Sequence, residues 1–174
     1  MNTAKITLIL GGQRSGKSGY AEQLVEAEGC GLYLATAQAF DDEMNDRINT
    51  HKNRRGEMWS TLEEPFDIAN VIDRESKVER PILVDCLTLW LSNLMMAERD
   101  ISIETERLIS VLQKSQGPVV LVSNEVGQGV IPDNALARKF VDCAGRMNQV
   151  IAEASDRVVW VTAGIPNILK DEKE

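Results

Sequence analysis

One stretch near the start of the sequence has the residue types and spacing of a phosphate-binding site. Residues 11–18 fit the pattern G-x-x-x-x-G-K-[ST]. Its glycines let successive backbone amides point at phosphate oxygens, and a following helix adds the positive end of its dipole. Lys17 can reach the terminal phosphates, and the Ser18 hydroxyl can hold Mg²⁺. The predicted loop consists of Gly11, Gly12, Gln13, Arg14, Ser15, Gly16, Lys17 and Ser18.

The segments on both sides of this loop favour a nucleotide site over an ordinary glycine-rich turn. Residues 6–10 are apolar and partly β-branched, which is typical of a buried parallel strand. After the loop, Tyr20, Leu24 and Ala27 recur at helical spacing. Because the motif requires a strand before it and a helix after it, we predict that this loop binds a nucleoside triphosphate.

Asp85 is the best candidate for a second metal-binding group. It follows the apolar run Ile82-Leu83-Val84, so it stands at the tip of a predicted buried strand. Nucleotide enzymes with such a loop hold Mg²⁺ with an acid in this position, directly or through water. The alternative is that Asp85 caps the next helix. We favour the metal role, shared with Ser18, because the loop itself implies Mg²⁺.

His51 is the only histidine in the chain. In a helix predicted from residue 41 to about residue 55, it shares one face with Met44 and Ile48, which is the setting of a packing residue. However, a basic stretch at 52–55 follows directly, and such side chains suit phosphates. A neutral imidazole is also a good nucleophile toward phosphorus. From the residues alone, a nucleophile and a solvated basic helix end both remain open.

Apolar strands alternate with helical patterns along the chain, which indicates an α/β protein with a mostly parallel sheet and helices on both faces. We expect the strand at 158–162 to complete the sheet. Ligands of such sheets bind at the carboxyl ends of the strands, so the phosphate loop, Thr36, Asp85, Asn124 and Gly164 should share one edge. The predicted strands are 6–10, 31–36, 58–63, 81–85, 119–123 and 158–162, and the predicted helices after residue 60 are 65–73, 87–97, 103–114 and one ending near 154.

Residues 123–132 form a polar loop after the predicted strand at 119–123. They combine Asn124 and Glu125 with glycines at 127 and 129, which suits close approach of the backbone to a ligand. A flexible connection has the same composition. Both interpretations therefore remain open for this loop.

Length and composition predict a single domain over residues 1–174. The net charge of −8 opposes binding to a nucleic-acid backbone, which usually needs a basic surface. No stretch approaches the length of about 18 apolar residues that a membrane span requires, and the first residues are a core strand, not a signal peptide. Cys30, Cys86 and Cys143 are odd in number and widely separated, and we interpret them as reduced packing residues of a cytoplasmic protein. A single histidine and the lack of a C-x-x-C motif argue against a structural zinc site.

Together these motifs resemble the family of bifunctional adenosylcobinamide kinase/adenosylcobinamide-phosphate guanylyltransferases. The resemblance covers nearly the whole chain. Besides the phosphate loop, it includes YLATAQAFDDEMNDRINTHK at 33–52, WSTLEE at 59–64 and LVDCLTLWLSNL at 83–94, and then SNEVGQGVIPDNALARKFVDCAGRMNQ at 123–149 and TAGIP at 162–166. The segments at 33–52 and 123–149 are far more specific than the loop, which many enzymes share.

The resemblance implies a P-loop, RecA-like fold and two reactions. ATP or GTP phosphorylates adenosylcobinamide, and then GTP transfers GMP to a histidine, from which the phosphorylated corrinoid accepts it as adenosylcobinamide-GDP. His51 matches that histidine, and Lys17 matches the catalytic lysine of the loop. The resemblance further implies Mg²⁺, a homotrimer and these guanine-nucleotide contacts: Ala35, Thr36, Ala37, Lys52, Asn53, Arg54, Arg55, Glu63 and Asp85.

Two other functions remain open from the sequence. A monofunctional small-molecule kinase would transfer the γ-phosphate without any covalent GMP, with His51 merely packed. A nucleotide-dependent switch would bind GTP tightly and hydrolyse it slowly, although the sequence marks no partner surface.

Overall fold

The computed structural model describes residues 5–38, 56 and 58–172, and within these ranges the strands form one seven-stranded sheet. The strands are β1 (Ile6–Gly11), β2 (Gly31–Ala35), β3 (Trp59–Glu63), β4 (Ile82–Asp85), β5 (Val119–Asn124), β6 (Arg157–Thr162) and β7 (Ile165–Asp171). Their order across the sheet is β3-β2-β4-β5-β1-β6-β7. The first six are parallel, as the alternating pattern predicts, and β7 is antiparallel to β6.

The described helices cover both faces of this sheet. They are α1 (Lys17–Glu26), α2 (Ile68–Glu75), α3 (Leu87–Met96), α4 (Ile101–Lys114) and α5 (Ala135–Ala154). Alternate strand residues face opposite layers: Ile9 packs with the α1 residues Ala21 and Val25, whereas Leu8 packs with residues of α2 to α5. Because both faces are buried, the central strands are continuously apolar instead of alternating.

The expectation that the strand at 158–162 completes the sheet is wrong, because β7 follows it. The two strands are joined by Ala163 and Gly164, which both have positive φ (52° and 78°). A two-residue turn with two positive φ angles matches the twist of a hairpin. Ala-Gly is a weak sequence signal for such a turn, and Pro166 argues against a central strand while an edge strand accepts it.

Two smaller differences concern the start of a helix and one cysteine. Helix α2 begins at Ile68, not near 65, because the Glu64 carboxylate accepts hydrogen bonds from the backbone N–H groups of Phe66 and Asp67, both at 2.9 Å, and so holds a turn there. Cys30 is exposed instead of packed, while Cys86 is buried and Cys143 half-buried. The helix predicted at 41–55 lies outside the described residues, and the single domain over 1–174 stays a prediction.

Candidate nucleotide site

The phosphate loop connects β1 to α1 in a conformation that two of its glycines make possible. A Cβ at Gly11 would stand 2.5 Å from both the Ser15 Oγ and the Val161 carbonyl oxygen, so only glycine fits. Gly16 has φ +97°, a left-handed conformation that other residues rarely adopt. Between them, the Ser15 N–H donates to the Gly12 carbonyl at 3.2 Å and closes a tight turn.

Lys17 and Ser18 open α1 directly beneath this loop. The Lys17 side chain is only 8% exposed, and its Nζ donates to the carbonyl oxygen of Gly12 at 3.0 Å. The ammonium therefore lies against the loop instead of extending into solvent. The first amides of a helix lack acceptors within the helix, and the first turn of α1, within the described residues, carries no acidic side chain. This helix start is therefore suited to an anion.

The turn between β6 and β7 supports the phosphate loop from the other side. The Gly164 N–H donates to the Ser15 carbonyl at 2.7 Å, and a Cβ at Gly16 would stand 3.0 Å from the Gly164 Cα. The prediction that Gly164 shares an edge with the loop is confirmed. This contact fixes the shape of the loop through a segment that is remote in sequence.

Asp85 ends β4 with its carboxylate held on one side. Its Oδ2 accepts a hydrogen bond from the Tyr33 hydroxyl at 3.0 Å. Tyr33 is itself buried, and its ring meets that of Trp59 edge-on with centroids 6.1 Å apart. The Tyr33 hydroxyl therefore fixes the Oδ2 of Asp85, and the same contact sets the orientation of the other carboxylate oxygen, Oδ1.

Cys86, which follows Asp85, has no role as a nucleophile. Burial of the thiol and, second, the negative charge of Asp85 raise the pKa of Cys86 to about 11. The thiol is therefore neutral near pH 7, and a neutral thiol is a poor nucleophile and metal ligand.

Asn124 ends β5 beside the phosphate loop, in register with Gly11. Its backbone is held at both polar groups: its N–H donates to the Thr88 Oγ1 at 2.7 Å, and its carbonyl accepts from the Asn148 Nδ2 at 3.3 Å. The Ser123 hydroxyl, fully buried, donates to the Asn148 Oδ1 at 2.7 Å and ties the same network together. By contrast, the buried Oδ1 of Asn124 has no hydrogen-bond partner among the described residues.

The predicted nucleotide contacts outside the loop form a separate group within the described residues. Ala35 is in register with Glu63 on one side and with Asp85 on the other, so all three share the carboxyl edge. Strand β2 is separated from β1 by β4 and β5, which corresponds to about 14 Å at the usual strand spacing. Ala37 follows at the same end and is half-buried.

Thr36 is fully buried, and its hydroxyl is already used by the fold. The Oγ1 donates to the Cys86 carbonyl at 2.7 Å and accepts from the Cys86 N–H at 2.9 Å. In addition, the Asn93 Nδ2 donates to the Thr36 carbonyl at 2.8 Å. Thr36 therefore clamps the end of β2 to the residue that follows β4.

His51, Lys52, Asn53, Arg54 and Arg55 lie outside the described residues, and their roles stay predictions. The sequence analysis assigned no role to Thr88 or to Asn148. A signal for Asn148 was present: it falls on the same helical stripe as the buried residues Ala144, Met147 and Ile151. A polar residue on a buried stripe needs a hydrogen-bond partner, and here β5 supplies it.

The oxygen donors at this edge fit Mg²⁺. Within the described residues, no group of three or more His, Cys, Asp or Glu side chains could hold a metal. Mg²⁺ in nucleotide enzymes does not need such a cage, because it usually binds one or two protein oxygens, the phosphates and water. A Ser18 hydroxyl at the helix start and an oriented Asp85 carboxylate are donors of this kind.

A buried loop lysine lies at the junction of a central parallel strand and a helix, and an acid ends the strand two places away in the sheet. This arrangement defines a P-loop nucleotide-binding protein. The family model described as "Cobinamide kinase / cobinamide phosphate guanyltransferase" matches residues 7–169. The chain belongs to this family, and the resemblance that its motifs carry is confirmed.

Full-length relatives agree with this assignment. The chain is 48% identical to the bifunctional adenosylcobalamin biosynthesis protein CobP of Pseudomonas aeruginosa over 168 residues, covering 95% of this chain and 97% of that protein. It is 41% identical to the bifunctional adenosylcobalamin biosynthesis protein CobU of Salmonella typhimurium, covering 91% and 96%.

A solved structure supports the predicted fold class. An ATPase from the type III secretion system of pathogenic bacteria superimposes with a TM-score of 0.53 at 10% identity, covering 91% of this chain and 51% of that chain. At this identity the likeness concerns the fold alone. The predicted class, a P-loop, RecA-like α/β fold with a mostly parallel sheet, is confirmed. Among the described helices, none is long and apolar enough to span a membrane.

Proposed function

We propose that this enzyme catalyses both steps of nucleotide-loop attachment to a corrinoid: phosphorylation of adenosylcobinamide by ATP or GTP, and transfer of GMP from GTP to the product. The observation that carries the proposal is the formed phosphate loop, with Lys17 buried against it, in a chain that the family model matches over residues 7–169. The relatives named bifunctional support the second activity.

In the first reaction, the loop amides bind the β- and γ-phosphates, and the Lys17 ammonium exchanges the Gly12 carbonyl for a γ-phosphate oxygen. Ser18 and Asp85 hold Mg²⁺, which when bound neutralises charge on the phosphates. The substrate hydroxyl attacks the γ-phosphorus, and the bond to the β–γ bridging oxygen breaks. Because such a transfer needs positioning and charge neutralisation above all, this set of groups supplies the main requirements of the chemistry.

In the second reaction, an imidazole nitrogen of His51 attacks the α-phosphorus of GTP, and pyrophosphate leaves with the electron pair of the broken P–O bond. The phosphate of the phosphorylated corrinoid then attacks the same phosphorus, and the P–N bond breaks to regenerate His51. A covalent intermediate divides one difficult transfer into two easier steps. We assign guanine-nucleotide contacts to Ala35, Thr36, Ala37, 52–55, Glu63 and Asp85. The hydroxyl, N–H and carbonyl of Thr36 all make hydrogen bonds within the fold, so Thr36 contributes through the second lone pair of its carbonyl oxygen.

Labelled GTP tests the covalent step. After incubation with α-³²P-GTP and Mg²⁺ followed by denaturation, we expect acid-labile, alkali-stable label on the wild type and none on His51→Ala. Thr50→Ala is the matched control and should keep the label. A wild type that phosphorylates adenosylcobinamide but never carries label would reduce the enzyme to a monofunctional kinase. Slow hydrolysis of tightly bound GTP without corrinoid dependence would indicate a nucleotide switch.

Mg²⁺, the oligomeric state and the location belong to the same proposal. The oxygen donors of Ser18 and Asp85 support Mg²⁺, and we expect Asp85→Asn to raise the Mg²⁺ requirement of both reactions. We propose a cytoplasmic homotrimer on the family resemblance. Light scattering coupled to gel filtration should give three times the mass of one chain, and a monomeric mass would remove the trimer from the proposal.

A further inference from the structure

We propose that Asn124 is a catalytic residue of the phosphoryl transfer, with its carboxamide bridging the γ-phosphate and the attacking hydroxyl of the acceptor. The proposal rests on the kinase step proposed above and adds a residue that the phosphate loop motif does not contain. Three observations carry it: the position of Asn124 at the end of the sheet, the way its backbone is held, and the unsatisfied side-chain oxygen.

The position of Asn124 follows from the register of the sheet. Strand β5 lies between β4, which ends in Asp85, and β1, which leads into the phosphate loop. Asn124 pairs with Gly11, and Asp85 pairs with Val122. Because side chains two residues apart in a strand face the same side, Asn124 faces the side of Val122, which packs with α1. Its side chain is therefore on the face that carries Lys17.

The backbone of Asn124 is fixed from the opposite face. Thr88 on α3 accepts its N–H, and Asn148 on α5 donates to its carbonyl. The following residue is fixed too, since the Glu125 N–H donates to the Gly11 carbonyl at 3.1 Å. Two helices and the phosphate-loop strand thus hold this residue, so its side chain is aimed by a rigid support, which is what a group acting on a reacting atom requires.

The unsatisfied Oδ1 indicates what the carboxamide is for. Burying a polar acceptor without a partner costs free energy, so such atoms in folded proteins call for an explanation. The Ser15 Oγ, also unsatisfied among the described residues, stands 2.5 Å from where a Gly11 Cβ would be, and Asn124 is in register with Gly11, so both residues adjoin one glycine of the loop. Phosphate oxygens accept hydrogen bonds, and so they can serve Ser15 Oγ and the Asn124 Nδ2 but not the Asn124 Oδ1. The Oδ1 needs a donor, and the acceptor's hydroxyl is one.

The resulting step is balanced without a protein base. The hydroxyl donates its hydrogen bond to Oδ1, which points the oxygen lone pair at the γ-phosphorus. The new O–P bond forms as the bond to the β–γ bridging oxygen breaks, and the nucleoside diphosphate leaves with that electron pair. The hydroxyl proton passes to an oxygen of the transferred phosphoryl group. An amide oxygen orients the hydroxyl and does not deprotonate it, so the carboxamide itself does not titrate.

The test compares binding of β,γ-imido-ATP and of ADP, together with corrinoid phosphorylation, in Asn124→Ala and Asn124→Asp. We expect Asn124→Ala to lose about tenfold in affinity for the imido analogue and about a hundredfold in kcat, with ADP affinity and the pH profile unchanged. Asn124→Asp keeps the shape and the acceptor but repels the γ-phosphate, and should lose more affinity for the analogue. Asn167→Ala, which removes an exposed asparagine on β7, is the matched control and should behave as wild type.

Three results would overturn the proposal. The first is wild-type kcat in both variants, and the second is an equal loss of ADP and analogue binding, which is the mark of a structural role. The third is a shifted Mg²⁺ titration with unchanged preference for the triphosphate, which would assign the carboxamide to the water shell of the metal. A wild type with the triphosphate preference but no corrinoid phosphorylation would overturn the proposed function instead, so the two failures can be distinguished.

Discussion

Thr36 and Asn124 are polar residues at the carboxyl ends of two strands of the same sheet, yet their surroundings are opposite. The Thr36 hydroxyl both donates and accepts, and both partners belong to the backbone of Cys86. The Asn124 Oδ1 is buried and unsatisfied among the described residues. A satisfied polar group stabilises the fold, whereas an unsatisfied one costs stability and is retained where a ligand completes it. The comparison therefore assigns a structural role to the Thr36 hydroxyl and chemistry to the ends of β5 and β1.

The most severe test of this assignment removes the buried lysine of the phosphate loop. Lys17→Ala should lower kcat for corrinoid phosphorylation by about a thousandfold, because the ammonium neutralises charge on the transferred group. Steady-state kinetics with saturating Mg²⁺ would measure it. Lys139→Ala, an exposed lysine on α5, is the control. Wild-type turnover in Lys17→Ala would mean that chemistry does not occur at the end of β1.

The next test separates the two polar residues by stability. Thr36→Val keeps the shape but leaves the Cys86 N–H and carbonyl unpaired, so the free energy of unfolding should fall by about 1–3 kcal/mol. Asn124→Leu removes a buried acceptor that has no partner to lose, so its unfolding free energy should fall by less than about 1 kcal/mol.

Urea titration followed by circular dichroism measures both changes under one condition. Equal losses in the two variants would remove the contrast, because Asn124 would then be a structural clamp like Thr36.

A smaller effect is expected at the contact between Tyr33 on β2 and Asp85 at the end of β4, because β4 lies between the strands that lead to Thr36 and Asn124. Tyr33→Phe removes the hydroxyl that orients the carboxylate and should raise the Mg²⁺ concentration for half-maximal activity roughly fivefold. Asp85→Asn, which removes the charge itself, should raise it further. If Tyr33→Phe titrates with Mg²⁺ as the wild type does, the hydrogen bond does not serve the metal.

The smallest expected effect concerns Cys86, the residue that Thr36 clamps. Burial raises the pKa of its thiol from 9.0 to about 11, so the folded state resists ionisation that the unfolded state allows. The stability that the raised pKa of Cys86 contributes is fully present well below pH 9, and it is lost as the pH rises toward about 11. At pH 9 the loss should be a few tenths of a kcal/mol.

Comparing unfolding free energies at pH 7 and pH 9 measures this change. The difference should be smaller in Cys86→Ala, while Cys30→Ala, which removes a thiol from the surface, serves as the control. Identical pH dependence in Cys86→Ala and the wild type would refute the assignment of this effect to the buried thiol.

The phosphate loop was predictable from sequence because its function depends on neighbouring residues. The glycines, Lys17 and the flanking strand and helix all lie within about twenty positions, so spacing alone carries the signal. The central parallel strands were predictable for a similar reason, since burial on both faces makes β1, β2, β4 and β5 apolar runs. Strand β7 was not, because it is an exposed edge strand that contains Pro166.

The support of Asn124 was beyond reach of the sequence for a different reason. Thr88 and Asn148 lie 36 and 24 residues away from it, and they meet its backbone only when α3 and α5 pack on the sheet. Sequence patterns mark Asn124 as polar at a strand end, but they cannot tell whether its side chain has a partner. The same limit applies to Thr36. It is also a polar residue at a strand end, and the sequence does not show that its hydroxyl is bonded to the backbone of Cys86, the residue that follows β4.

The hydrogen bond from Gly164 to Ser15 links the phosphate loop to a turn that the ribosome makes 148 residues after Gly16. At ordinary rates of translation, this interval lasts roughly 7–30 s. During that time the nascent chain already contains every residue of the loop but lacks the glycine that holds it in shape. The last contact that shapes the phosphate loop therefore forms only after residue 164 has been synthesised.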